Sequence, residues 1–304
     1  MMTSTRGSVL RLLQWQARNA TVYVLGGVLA FLLWEILENR LELVDISMPA
    51  LPLGVVGGAL GIFVSFRTNA AYDRWWEGRK LWGRLINTSR HWSSQVMAYV
   101  PGVKDRERMV RRHVAYVHML KALLRDQDPL LDDDCAAYLT EAEKRQLPEE
   151  SNQTHYLLDA QLREAYDLAS GTQIDGLQLQ SLDETVRHLL DIQGGCERIK
   201  KTPMPPGYGF IADRLILFFS LLFPLAIVEE VHLLVIPINL LVCLAFMLIS
   251  EAGRVIENPF TLFFNGLPLQ NMASTIEHNL MNRLGVRSVD LKPIAGPDPR
   301  GILM

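Results

Sequence analysis

Apolar positions along the chain gather into two runs near its beginning and two near its end, while the region between them is amphipathic and charged. The runs cover residues 21–37 (TVYVLGGVLAFLLWEIL), 51–66 (LPLGVVGGALGIFVSF), 210–228 and 233–249. A helix needs about 17–25 mostly apolar residues to cross a bilayer, so each run predicts a membrane-spanning helix. Arg6, Arg11 and Arg18 precede the first run, and Arg67, Arg74, Arg79, Lys80 and Arg84 follow the second. Lys200 and Lys201 precede the third, and Arg254 follows the fourth. Cationic residues favour the cytoplasmic side, so the pattern predicts a multi-pass inner-membrane protein with both termini cytoplasmic. Glu35 and Glu38 then lie at the far interface, with Glu229, Glu230 and His232 in the short outer loop.

The second run passes into RTNAAYDRWWEGRKLWGRLINTSRHW with no turn signal, so one helix is expected to leave the membrane and continue into the cytoplasm. Gly58, Ile62 and Phe66 are each four residues apart and share a stripe of that helix. A stripe facing a symmetry axis would line a pore; the same spacing suits residues facing lipid or packing on another helix. Gly54, Gly57, Gly58 and Gly61 are expected to let helices approach closely. Trp75, Trp76, Trp82 and Trp92 anchor the helix at the interface and fill a cytosolic core, and a sharper reading has them also hold it in register against neighbouring subunits.

Between the paired runs, helical periodicity covers residues 81–124 and is broken at 126–134, where Asp132, Asp133 and Asp134 suit a solvated loop and helix cap. A helical hairpin over 136–146 and 149–170 follows, with Pro148 at its turn. Residues 171–176 form a turn and 177–192 a helix, interrupted at Gly194-Gly195. A proline-rich elbow, KKTPMPPGYG, cannot remain helical. The tail carries a helix over 270–284 and ends in a Pro/Gly-rich stretch. The expected organisation is an N-terminal amphipathic segment (1–20), spans one and two (21–66), a cytosolic helical domain (67–208), spans three and four (209–250) and a cytosolic C-terminal segment (251–304). Residues 1–20 read as an interfacial helix or as a flexible basic tail, and lack the apolar core and cleavage site of a signal peptide.

Composition narrows the function. The 304 residues are 49% hydrophobic and 21% charged, with a net charge of -3, which gives no basic surface for nucleic acid. Mean hydropathy of +0.12 is high for a soluble chain so rich in charge. Cys135, Cys196 and Cys243 contain no CxxC and predict reduced thiols rather than a disulfide framework. The seven histidines are dispersed; His113 and His118, five apart, lie on different helix faces. HExxH, GxSxG and P-loop patterns are missing, so no enzyme, metal or cofactor is expected. Asp126-Gln127-Asp128 hints at a calcium loop, but Leu131 and Ala137 stand where an EF-hand needs glycine and glutamate. Gly57-Gly58-x-x-Gly61 lacks the strand-then-helix context of a dinucleotide motif. Asp213 and Arg214 form either an interfacial pair or an intramembrane functional one.

Arg74-Trp75-Trp76 within FRTNAAYDRWWEGRKLWG, together with Glu257-Asn258-Pro259-Phe260 and Leu267-Pro268-Leu269, closely resembles the bestrophin family, particularly its bacterial branch. The resemblance covers nearly the whole chain. It implies an all-α membrane protein with four transmembrane helices per subunit and a large helical cytosolic domain, assembled as a homopentamer around a central pore. It further implies conduction of small monovalent ions, chloride by the animal members, with monovalent cations such as sodium, or a non-conducting membrane scaffold, as alternatives. The family's hydrophobic neck falls on Gly58, Ile62 and Phe66, where glycine cannot form a bulky ring. Its cytosolic constriction falls on Leu177, with Leu179 next. Arg74, Trp75, Trp76, Asn258, Pro259 and Phe260 are its structural signature. Thr261, Leu262, Phe263, Phe264 and Asn265 offer no carboxylate where the eukaryotic calcium clasp would lie. Partners are then other copies of the chain, membrane lipids and the permeating ions.

Overall fold

A computed structural model describes residues 8–43, 45–46, 48–263, 265–297 and 303, with side chains from residue 20 onward. The amphipathic face expected of residues 1–20 therefore lies outside the described side chains; the backbone from Ser8 is helical. All regular structure among the described residues is helical. The chain divides into two compact units, Ser4–Trp75 with Pro203–Glu257, and Trp76–Thr202 with Asn258–Met304 (beside Met1–Thr3).

The first unit is apolar. It contains α1 (Ser8–Leu33), which widens into a π-helical segment at Trp34–Arg40, and the first half of α2 (Ala50–Tyr99). Its other helices are α8 (Pro206–Val231) and α9 (Val235–Arg254), joined by a 3-10 turn at His232–Leu234. Among the described residues three helical stretches are long and apolar enough to cross a membrane, Ala20–Arg40, Ala50–Tyr99 and Pro206–Arg254. The last folds back at His232, whose φ of 48° no helix accommodates, so α8 and α9 pack against each other. Phe219 meets Phe246 edge to face at 5.6 Å across this pair. Small residues let α1 and α2 close on it: a Cβ at Gly27 would lie 3.0 Å from the Ile236 backbone, and one at Gly57 3.0 Å from the Phe219 ring. Only part of the glycine expectation holds, because Gly54 and Gly58 meet nothing within 4 Å. Buried Asn239 ties three helices at once, donating to the carbonyls of Tyr23 (2.8 Å) and Ser220 (3.1 Å).

The second unit is organised around α3 (Val103–Leu124), which is buried along most of its length. Against it pack the short α4 (Asp133–Ala136), α6 (Gln153–Ser170), α7 (Gly176–Lys201) and α10 (Leu269–Arg283); α5 (Glu141–Gln146) precedes α6. Three expectations need correction. The helix expected over 81–124 is broken at Val100–Gly102, where Pro101 cannot continue α2 and Gly102 starts α3. Gly194-Gly195 does not interrupt α7: a Cβ at Gly195 would lie 2.7 Å from Leu81, so the glycine is a contact point between helices. The aspartates at 132–134 are more than a solvated cap. Asp132 does cap α4, but it also pairs at 2.7 Å with Lys121, which is almost fully buried, and Asp134 pairs with Lys292 at 2.8 Å.

Polar groups thread this core; several are paired, while the buried indole N–H groups of Trp82 and Trp92 meet no acceptor among the described residues. Arg112 bridges Glu143 and Glu164. Burial alone would lower its pKa, yet the two carboxylates more than offset this and raise it. His113 bonds Ser89 (2.9 Å) and His118 bonds Glu277 (2.8 Å), on separate faces as their spacing requires. Trp82 and Trp92 are fully buried here, the latter stacked on His113 at 6.1 Å.

Candidate functional site: the exposed stripe of α2

One face of α2 is packed and the opposite face is bare. Leu53, Leu60, Val64, Arg67 and Ala71 are buried, whereas Leu51, Val55, Gly58, Ile62 and Phe66 are exposed. At about 100° per residue these two sets lie on opposite sides of the helix. Ile62 is 60% and Phe66 69% exposed, large apolar side chains left bare by the described residues. Gly58 sits on the same stripe and presents only backbone. The residues predicted from fourfold spacing are thus brought together on one surface.

The residue after Phe66 turns the other way. Arg67 is 5% exposed, donates to Ser250 Oγ at 2.8 Å and lies 3.6 Å from the Glu257 carboxylate. Thr68 Oγ1 donates to the Ile249 carbonyl (3.1 Å), and Arg74 Nε to the Glu257 carbonyl (2.9 Å). These bonds hold the end of the stripe to the end of α9. Sequence reading assigned Arg67 only to a cationic flank; its position immediately after an apolar run, with Ser250 and Glu257 ending another, is the signal that finds the anchor. Beside it lies a cavity of about 260 Å³ that includes Tyr208, Asp213, Arg254 and Glu257. Asp213 lines this cavity while Arg214 sits 5.0 Å over the Phe210 ring, so the two do not form the expected pair.

The signature residues have local structural tasks. Asn258 Oδ1 accepts from the Phe260 amide (3.2 Å), and the Pro259 carbonyl accepts from Leu267 N (2.7 Å), closing the loop before α10. Phe260 is fully buried, and Gly78 leaves room for it and Pro259, a Cβ there lying 3.2–3.3 Å from both. Trp75 is half-buried and Trp76 largely exposed. Leu177 stands 78% exposed in the first turn of α7, which is started by Asp175 in a reciprocal cap with Gln178. Leu179 is half-buried. Among the described residues no cluster of three or more His, Cys, Asp or Glu side chains is placed to hold a metal ion.

Long apolar helices, a close-packed helix hairpin and a bare apolar stripe on the longest helix define a helical membrane protein. The chain belongs to the bestrophin family of ion channels: the family described as Bacterial/Fungal Bestrophin protein matches residues 1–282. A voltage-dependent anion channel-forming protein of Mesorhizobium japonicum is 29% identical over 92% of this chain and 87% of its own length. One from Escherichia coli K12 is 32% identical over 76% and 75%. The crystal structure of a bacterial bestrophin homolog from Klebsiella pneumoniae superposes with a TM-score of 0.81 at 28% identity, covering 88% of this chain and 98% of that one.

Proposed function

We propose that this chain is the subunit of a homopentameric channel of the inner membrane that passes small monovalent ions along its fivefold axis. Each subunit crosses the bilayer four times, through α1, the first half of α2, α8 and α9, with both termini in the cytoplasm. Ile62 and Phe66 from five copies form two apolar rings, and Gly58 leaves the third position of the neck open. Apolar rings pass or hold back ions by wetting and dewetting, and carry no charge preference of their own. Leu177, with Leu179 behind it, forms a second, cytosolic constriction. Trp76, largely exposed, is suited to contact a neighbouring subunit.

The observation that carries this reading is the bare stripe on α2, whose other face the same chain covers. The relatives' names support anions such as chloride as the permeant species. Monovalent cations are favoured by one feature, the carboxylate of Asp73 further along the stripe. Reconstitution of the purified protein in liposomes tests the proposal: a channel gives passive ion flux with no coupled second ion, and a scaffold gives none. A species of five subunits by native mass measurement is expected.

A further inference from the structure

Phe66 does not end the exposed stripe of α2. Seven residues make just under two helical turns, so Asp73 lies within about 20° of Phe66 in azimuth and about 10 Å further along the axis. Asn69 holds the corresponding position relative to Ile62, and both Asn69 and Asp73 are exposed. Between Ala50 and Trp75 the helix carries only two other charged residues, and both are engaged elsewhere. Arg67 is buried against Ser250 and Glu257, and Arg74 donates to the Glu257 carbonyl. Among the described residues the Asp73 side chain takes part in no ion pair and no hydrogen bond. The apolar stripe therefore continues into a polar step and then an uncompensated carboxylate.

We propose that Asp73 sets the sign of the permeant ion: five Asp73 carboxylates form an anionic ring on the cytoplasmic side of the Phe66 ring and concentrate monovalent cations at the mouth of the neck. This rests on the pore reading above, because only the fivefold axis turns one side chain into a ring. A ring of like charge at a narrow, low-dielectric entrance raises the local counter-ion concentration and repels co-ions. The neck has no charge of its own, so the first charged ring beside it decides which ions arrive.

Reversal potentials of the full-length protein in planar bilayers with asymmetric NaCl provide the test. Asp73→Asn is expected to lower the cation-to-anion permeability ratio about tenfold or more, and Asp73→Glu to keep it. The native thiols Cys135, Cys196 and Cys243 are all buried, so Asp73→Cys offers a selectively accessible thiol. A negatively charged sulfonate-bearing thiol reagent on it should restore the ratio, and a positively charged ammonium-bearing one should lower it further. Lys80, seven residues further along α2, is the control: Lys80→Gln should change the ratio less than Asp73→Asn does. An unchanged ratio in Asp73→Asn and in both thiol adducts overturns the assignment. If Ile62→Ala or Phe66→Ala alters conductance in the same preparation, the pore reading survives that result; if neither does, both fall.

Discussion

Phe66 and Arg67 are consecutive and about 100° apart around α2, one bare and apolar, the other buried and bonded. Arg67 fixes the rotation of α2, and that rotation decides which residues its stripe presents. Elsewhere, buried charge sets how the protein responds to acid. Loss of hydration around fully buried His113 pulls its pKa down to about 4, against a smaller opposing effect of the Gln161 hydrogen bond. An unfolded histidine titrates near 6.5, so between about pH 6.5 and 4 only the unfolded chain takes up this proton. Acidification through that window should destabilise the second unit by about 1.4 kcal/mol per pH unit from this group, and above pH 6.5 its effect vanishes. Melting temperatures of the wild type and of His113→Asn, measured from pH 7 to 5, should diverge accordingly, with the shallower fall in the variant. Arg112→Ala strands Glu143 and Glu164 in the core and should cost about 3–5 kcal/mol, read as a large drop in thermal stability at pH 7.

At the level of helices, Asn239 is a test of how α1, α8 and α9 are held. Asn239→Leu removes two interhelical hydrogen bonds in a setting where such bonds average about 0.6 kcal/mol and reach about 1.7, so unfolding in mild detergent should shift by about 1 kcal/mol. The four apolar runs and the unbroken passage of α2 past Phe66 were legible because hydrophobic length and the lack of a turn signal act locally. Pro101-Gly102 was not read as a break, because helical periodicity on either side masked it. Gly194-Gly195 read as a break because glycine is a poor helix former in water; Leu81, remote in sequence, makes Gly195 a contact instead. The same limit hid Lys121–Asp132 and His118–Glu277, pairings between residues that only the folded chain brings together. The stripe itself was visible as spacing, but spacing cannot tell a bare face from a packed one. Gly57 and Gly58 show the difference, one against Phe219 and the other in open space.

For the whole molecule, the covered face of α2 packs on the subunit's own helices, and the proposed channel puts the ion pathway against its bare face. In the proposed fivefold arrangement each bare residue becomes a ring, so a change at one position would be repeated five times around the axis. Removing bulk at Ile62 or Phe66 should open the neck and ease its wetting, while changes on the buried face should act through stability. The most direct measurement is single-channel conductance in planar bilayers of the wild type, Ile62→Ala and Phe66→Ala. Both variants are expected to conduct more than the wild type, and unchanged conductance in both would contradict the assignment of the stripe to the pore.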